Sequence, residues 1–285
     1  MTQDSAPEPT EPSDDEDHDE SDDDIDASNG DDPSEVIVVG GGVAGLTAAT
    51  FTARAGLETL VIDAGDSILA RNAHLENVPG FPAGVNPRRF LDLLNSQATR
   101  NGAAVASGRV ESLRRDPATE GFVVETAAGD RHRGAGVVAA SWADASYLAD
   151  LAATRDAGSK AYVDVNETGR TNVEGLYAAG RLAERYHQAV VAAGDGATAA
   201  ITLIHDAGVP FYHDWVVPEG YFTDRGREVP PGCTEIGPAE RRARWAESRA
   251  TMRSRFAEPH DSVQLTHPSL VDDERGRVPE DRRSD

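Results

Sequence analysis

Apolar residues first gather at 35–39, where Glu35-Val36-Ile37-Val38-Val39 has the length and β-branched content of a strand buried on both faces. Glycines occupy positions 40–42. A 3.6-residue spacing follows, with Leu46, Ala49 and Ala53 along one side of a helix predicted over Val43–Ala55 and stopped by Gly56. Thr59–Asp63 is a second apolar strand, completing a βαβ unit of about 30 residues. A helix is predicted over 87–101, capped by Asn86, opened by Pro87 and carrying Phe90, Leu91, Leu93 and Leu94. Short strands are expected at Val110–Leu113, Phe122–Thr126 and Val137–Ala140, with a turn at Gly129-Asp130, and another strand at Leu176–Ala178. An alanine-rich helix is predicted from about His187 to Ile204.

The ends of the chain read differently. Residues 1–34 contain no Lys or Arg, and Asp14–Asp26 is nearly continuous acid. Such a segment buries too little apolar surface to offset its ordering entropy, so it is expected to be disordered, as solvated padding rather than a docking tail. Residues 209–285 form a separate extension: an aromatic and Pro/Gly-rich stretch, a helix over Ala239–Phe256, and a disordered end from about Glu258. Between the two lies one domain, 35–208. No internal repeat is visible.

The chain has 285 residues, is 39% hydrophobic, and carries a formal net charge of −23. Lys160 is the only lysine, which together with the acidity is the pattern of a halophilic protein. In molar salt the Debye length shrinks to about 3 Å, so dense like charge costs little and mainly keeps the surface hydrated. That charge argues against nucleic acid or an anionic membrane as partner. No apolar run approaches the ~20 residues of a membrane span, and the acidic N-terminus is not a secretory signal, so a cytoplasmic location is expected. Cys233 is the single cysteine, which excludes an internal disulfide and a Cys-x-x-Cys redox pair.

The chemistry concentrates at Gly40-x-Gly42-x-x-Gly45, between a strand and a helix. Gly40 permits the tight turn, Gly42 lets backbone approach a pyrophosphate, and Gly45 allows helix to pack closely on strand. The first helical residues, Val43 and Ala44, offer N–H groups and a positive dipole end to phosphates. Asp63, closing the next strand, can accept hydrogen bonds from both hydroxyls of an unphosphorylated ribose. This unit alone does not separate FAD from NAD.

Three further stretches do. Leu75-Glu76-Asn77-Val78-Pro79-Gly80-Phe81-Pro82, Thr171-Asn172-Val173-Glu174-Gly175-Leu176-Tyr177-Ala178-Ala179-Gly180 and Gln188-Ala189-Val190-Val191-Ala192-Ala193-Gly194-Asp195-Gly196-Ala197 resemble, in the same order, the loop beside the isoalloxazine, the second FAD motif and the flavin-facing helix of the thioredoxin reductase family. The resemblance covers roughly 35–103 and 168–207. It implies FAD as cofactor, with Gly40, Gly42 and Gly45 at the pyrophosphate and Asp63 at the adenosine ribose. It also implies Asn77 at the flavin or shaping its loop, Gly180 at the ribityl chain, and Gln188 and Ala189 presenting N–H groups to the pyrimidine edge.

Three departures from that family stand out. Arg181 occupies the place of an aspartate that accepts a ribityl hydroxyl; arginine cannot accept a hydrogen bond, and would pair with a flavin phosphate or point to solvent. The inserted nicotinamide domain is missing, since about 30 residues separate Ala140 from the second motif; Gly134-x-Gly136-x-x-Ala139 fits a second glycine motif but reads as a turn into a strand. The dithiol is absent too. His187 is either a proton donor near the flavin or a neutral cap. His205, His213, Asp206 and Asp214 match no metal-site spacing. Trp142, Phe211, Tyr212, Trp215, Tyr221 and Phe222 are candidates to cover an open flavin face, to form a homodimer contact, or to pack the C-terminal extension.

The expected fold is a three-layer α/β FAD/NAD(P)-binding, Rossmann-like domain: a parallel sheet, helices on one side, and a small antiparallel β-meander over Val105–Ala140. The expected function is a minimal FAD-dependent oxidoreductase passing electrons between a small-molecule donor or a redox partner protein and an acceptor not named by the sequence. A regulatory flavoprotein using FAD as a structural or sensing ligand is the alternative. A single-domain NAD-dependent dehydrogenase ranks last, because it leaves residues 75–82 and 171–197 without a purpose.

Overall fold

The computed structural model describes residues 34–158, 160–211, 213–273 and 276–278. The acidic tail up to residue 33, Tyr212 and residues 279–285 lie outside the described residues.

Strand β1 (Ser34–Val39), helix α1 (Val43–Arg54) and strand β2 (Thr59–Asp63) form the predicted βαβ unit. Then follow α2 (Pro87–Arg100), β3 (Ala104–Ser107), β4 (Val110–Arg115), β5 (Phe122–Thr126), β6 (Arg131–Ala139), β7 (Thr154–Asp156), β8 (Ala161–Val163) and β9 (Leu176–Ala178). The chain continues with α3 (Ala189–Asp206), β10 (Val216–Pro218), β11 (Thr234–Ile236) and α4 (Pro238–Arg255). The main sheet has the order β3-β2-β1-β6-β5-β4, with β9 also paired to β6.

Strand alternation divides the core into two faces. Val36, Val38, Val61, Val138 and Tyr177 point to the layer of α1 and α3, where Ala48, Ala49, Ala199 and Ala200 are fully buried. Ile37, Val39, Ile62, Val137 and Leu176 point the other way, against Leu113, Phe122 and Val124 of the meander and against Tyr147 and Leu148. Burying each large aliphatic side chain contributes about 1.5–3 kcal/mol. The small residues on the helix side have a different value, which is closeness: a Cβ on Gly196 of α3 would sit 2.1 Å from the Ala44 carbonyl of α1. The side chain of Asn86 accepts from the backbone N–H groups of Arg88 (2.9 Å) and Arg89 (3.2 Å), the cap expected from the sequence.

Four sequence expectations are corrected. β3 does not belong to the meander; it pairs parallel with β2, Val61 opposite Val105, as a sheet edge. Gly134 and Gly136 do not form a turn but lie inside the nine-residue β6. Their lack of a side chain is required by neighbours across the layers: a Cβ would lie 2.8 Å from Ile37 Cγ1 at Gly134 and 3.1 Å from Leu203 Cδ1 at Gly136. The extension is not detached at residue 208, since Phe211 is buried in the helix-side core and Asp214 pairs with Arg54 of α1. The chain beyond Glu258 is tied down in its described part. Gln264 accepts from Arg88 at 2.9 Å and donates to the Arg71 carbonyl at 3.0 Å, while His260 meets Asp92 at 2.8 Å. Composition cannot reveal those anchors, because the partners sit on and before α2.

Candidate functional site

The glycine turn after β1 opens into a cleft of about 350 Å³. Its geometry follows from small residues in forced places. Gly40 has φ +109°, and a Cβ there would lie 2.7 Å from the Ala140 carbonyl at the end of β6. A Cβ on Gly45 would lie 1.9 Å from the Gly40 carbonyl, so α1 can start this close to β1 only with glycine at that point. Gly42 differs: the nearest atom to a Cβ there is Ser67 Oγ at 3.8 Å, so its bareness serves the open side of the turn.

Asp63 stands at the end of β2, on the rim of the same cleft. Its Oδ1 accepts from Gly41 N at 3.2 Å and from Gly65 N at 3.0 Å. That bond pair fixes the carboxylate and leaves Oδ2 directed elsewhere. Gly41 is a site residue the sequence reading passed over: a Cβ on it would fall 2.2 Å from Asp63 Cγ.

Two helix N-termini face this one cleft. α1 begins after Gly42 and α3 after Gln188, and neither cap residue has a side-chain hydrogen bond to the helix's free N–H groups. Four N–H groups at each start therefore lack an intrahelical partner, beside the positive end of each macrodipole. Gln188 spends its side chain otherwise, accepting from Asn77 Nδ2 at 2.7 Å.

The predicted residues thus divide. Gly40, Gly42, Val43, Ala44, Asp63, Gly180, Arg181, Gln188 and Ala189 line the cleft. Gly45 packs behind it, and Asn77 reaches it through Gln188. Arg181 contributes its place in the wall, but its guanidinium takes neither of the two courses expected for it. It donates to Tyr162 Oη at 2.5 Å and to the Arg185 carbonyl at 3.1 Å, lying over the Tyr162 ring. A polar acceptor and an aromatic face on β8 together hold it there. Gly180, at φ +69°, donates its N–H to Asp195 of α3 at 2.7 Å, and Asp195 also pairs with Arg185 at 3.0 Å.

Other wall residues were not foreseen. Asp66 pairs with Arg109 at 2.5 Å beside Asp63 on the cleft rim, and Ser67 and Arg71 follow in the same loop. A signal existed for these, since the loop directly follows the acid at the strand end. Trp142 lies in the cleft wall with φ +59°, a left-handed conformation rare for a bulky residue. Its ring meets His187 edge to face at 4.3 Å. Partial burial, and then the positive charges of Arg181 and Lys160, hold the His187 pKa below its ordinary value, which favours the neutral imidazole. Of the other aromatic candidates, Phe211 and Phe222 are buried, Trp215 stacks on His213, and Tyr221 packs on Phe222. None of these four lines the cleft: Phe211 joins the helix-side core, Phe222 is buried within the extension, and Trp215 and Tyr221 stay exposed.

Cys233 is also elsewhere, with its thiol donating to the His213 carbonyl at 3.3 Å. Asp206 binds Arg170 and the Tyr177 hydroxyl, both at 2.7 Å, and His205 approaches the Phe211 carbonyl. Among the described residues no group of three or more His, Cys, Asp or Glu side chains is placed to hold a metal. No helix among them is long and apolar enough to cross a membrane.

The likeness to known proteins points the same way. Residues 13–196 match the family model described as pyridine nucleotide-disulphide oxidoreductase. The thioredoxin reductase of Aquifex aeolicus is 37% identical over 113 residues, 38% of this chain and 34% of that protein. That of Streptomyces coelicolor is 36% identical over 111 residues, again 38% and 34%. The matches thus span about a third of these curated relatives' length. A solved thioredoxin reductase from Gloeobacter violaceus aligns with a TM-score of 0.57 and 19% identity, over 62% of this chain and 96% of that chain. One from Lactococcus lactis gives 0.57 and 15%, over 62% and 99%. At those identities the likeness is one of fold. With well over half of its length under the family model, this chain belongs to the pyridine nucleotide-disulphide oxidoreductases.

Proposed function

We propose that the chain binds FAD and works as an oxidoreductase without a nicotinamide domain or dithiol of its own. The observation that carries this reading is the pair of uncapped helix N-termini, α1 and α3, open on one cleft with Asp63 on its rim. A single phosphate needs one such terminus; a cofactor with a pyrophosphate and a redox ring uses both.

The residue roles follow from position. The α1 terminus, with Gly40, Gly42, Val43 and Ala44, holds the pyrophosphate, and Asp63 accepts from the adenosine ribose. Gly180 and Arg181 form the wall along the ribityl chain by backbone, as the Arg181 guanidinium is engaged with Tyr162. Ala189 presents its N–H group to the ring; the Gln188 N–H, also expected there, is already donated to the Tyr186 carbonyl at 2.8 Å, while its side chain is held by Asn77. FAD, when bound, supplies one- and two-electron transfer. The dipole of α3 would favour negative charge on the reduced ring, and His187, in the cleft wall, would act as a proton donor near that ring or as a neutral cap, the lowered pKa favouring the neutral form. Trp142 screens that side of the cleft from water.

Two observations support a chain that lacks the inserted domain. The Gly134–Ala139 stretch is a strand and opens no helix. β6 passes to β9 through a 3-10 turn at Ser146–Leu148 and the short pair β7–β8. Electrons then come from a small donor docking on the ring or from a redox partner protein. A second reading, FAD as a structural or sensing ligand, is favoured by one feature: no cysteine lies in the cleft wall.

The test is the visible spectrum of protein purified in molar KCl, before and after heat release of chromophore. A two-banded flavin spectrum with about one FAD per chain is expected, followed by anaerobic bleaching with a suitable donor. Colourless protein that takes up no added FAD overturns the cofactor assignment. Bound FAD that neither reduces nor reoxidises at a useful rate selects the sensing role.

A further inference from the structure

α4 is an anomaly in this molecule. In a chain of net charge −23 it holds six arginines against two glutamates, and from Ala239 to Arg255 every residue is exposed. One side of it is engaged with α2: Glu247 pairs with Arg100, Arg255 reaches Ser96 Oγ at 3.0 Å, and the following Phe256 leans on Phe81. The other side is not. Arg242, Arg249 and Arg253, spaced seven and four apart, form one stripe along the helix, and Trp245, 61% exposed, lies on its edge. Among the described residues none of these three arginines has a carboxylate partner.

We propose that this outward face of α4 is the docking surface for the chain's own acidic segment, residues 14–26. Charge is the first argument. The segment holds ten carboxylates, no Lys or Arg and one histidine, His18, with Ile25 as its one aliphatic residue, matching an arginine stripe edged by an indole. Position is the second. The segment joins the fold at Ser34, where Glu35 accepts from the N–H of Glu58 beyond the end of α1. Arg54, at that end of α1, binds Asn101 at the end of α2 at 3.0 Å, and the adjacent Arg100 is the residue paired with Glu247 of α4. Ser34 and the middle of α4, at Glu247, are therefore linked through the C-terminal ends of α1 and α2. The eight-residue step from Asp26 to Ser34 reaches roughly 28 Å when extended. Tethering is the third: a short linker supplies an effective concentration of order millimolar, which favours the chain's own segment over a second copy. The contact is electrostatic and exposed, so salt weakens it.

Photo-crosslinking of the full chain tests this. With Ile25→p-benzoylphenylalanine, irradiation in the lowest KCl that leaves the far-ultraviolet circular dichroism unchanged is expected to give a monomer-sized adduct to a peptide within 238–256. The yield is expected to fall about tenfold in 2 M KCl, where the Debye length is under about 3 Å. It should fall comparably in R242E/R249E/R253E at low salt and persist in R242K/R249K/R253K. These positions are solvent-exposed, and matching circular dichroism verifies folding. An adduct of dimer mass, an adduct elsewhere in the chain, no adduct, or a yield unchanged in the Glu variant would overturn the assignment.

Discussion

The glycines of the first turn are not equivalent, and their difference makes the cofactor assignment testable apart from folding. Gly42→Ala places a Cβ no nearer than 3.8 Å to any neighbour, an ordinary contact with Ser67 Oγ, so melting of the protein without cofactor is expected to stay within about 0.5 kcal/mol of wild type, while flavin affinity is expected to fall at least tenfold if the turn holds the pyrophosphate as proposed. Gly45→Ala forces a methyl into the Gly40 carbonyl and is expected to destabilise the fold by about 1–3 kcal/mol or more. Calorimetry with flavin titration separates the two; equal flavin affinity in Gly42→Ala and wild type would remove Gly42 from the site. His187 offers a second check at this scale. Its ring titration, followed by nuclear magnetic resonance, is expected below the ordinary value, and Trp142→Ala is expected to move the midpoint upward by rehydrating the cation. The roles legible in the sequence were those with local causes: the bare turn, the strand-end acid, the cap at Asn86. What stayed hidden depended on partners distant in sequence. Arg181 has the chemistry to meet a phosphate, and only the placement of Tyr162 on β8 shows where its guanidinium goes.

At the scale of elements, periodicity located β1, α1, β2, α2 and α3 to within a few residues, because each buries a regular face. It failed for β3 and β6, whose pairing is set by distant strands: β3 joins β2 in parallel, and β6 continues through two glycines that spacing alone reads as a turn. Segments with little apolar periodicity, such as 216–236, are held by polar bonds instead. There Glu235 is buried enough to oppose its ionisation, yet the N–H groups of Phe222, Thr223 and Gly220, with the Thr223 hydroxyl, outweigh this and bring its pKa down to about 2. A carboxyl depressed in the folded state contributes stability above its unfolded pKa, about 4.5, and loses it as pH falls toward 2. Glu235→Gln is therefore expected to loosen the β10–β11 segment at neutral pH and to flatten its loss of protection between pH 4.5 and 2. Hydrogen exchange of residues 216–236 measures both, and an unaltered acid profile would show that the four bonds do not control the segment.

For the whole molecule the dominant quantity is charge. Exposed pairs such as Arg170–Asp206 contribute little, and salt screens them further. Self-repulsion among the surplus carboxylates is spread over the surface, and screening relieves it as the Debye length drops from about 10 Å at 0.1 M to about 3 Å at 1 M. The melting temperature is accordingly expected to rise with KCl from 0.1 to 2 M, by roughly 4–8 °C or more, since each kcal/mol moves a domain by a few degrees. A melting temperature that falls over this range would count against adaptation to high salt. Composition gives the net charge of −23 at once, whereas it misread residues 258–273, whose polar sequence hides bonds from Gln264 and His260 to α2 and the loop before it.

One strand also sets the order of events when the chain first acquires this shape. β6 meets β5 across a reversal of a few residues, with Glu125 opposite Arg131, yet it meets β1 across about a hundred, with Ile37 opposite Val137. Closing the short loop costs far less chain entropy than closing the long one. The hairpin is then expected to close before β6 meets β1, whose nearer partner β2 lies only about 23 residues on. Destabilising the hairpin at Val124 should slow refolding in stopped-flow experiments, whereas a comparable loss at Leu203 in α3 should mainly hasten unfolding.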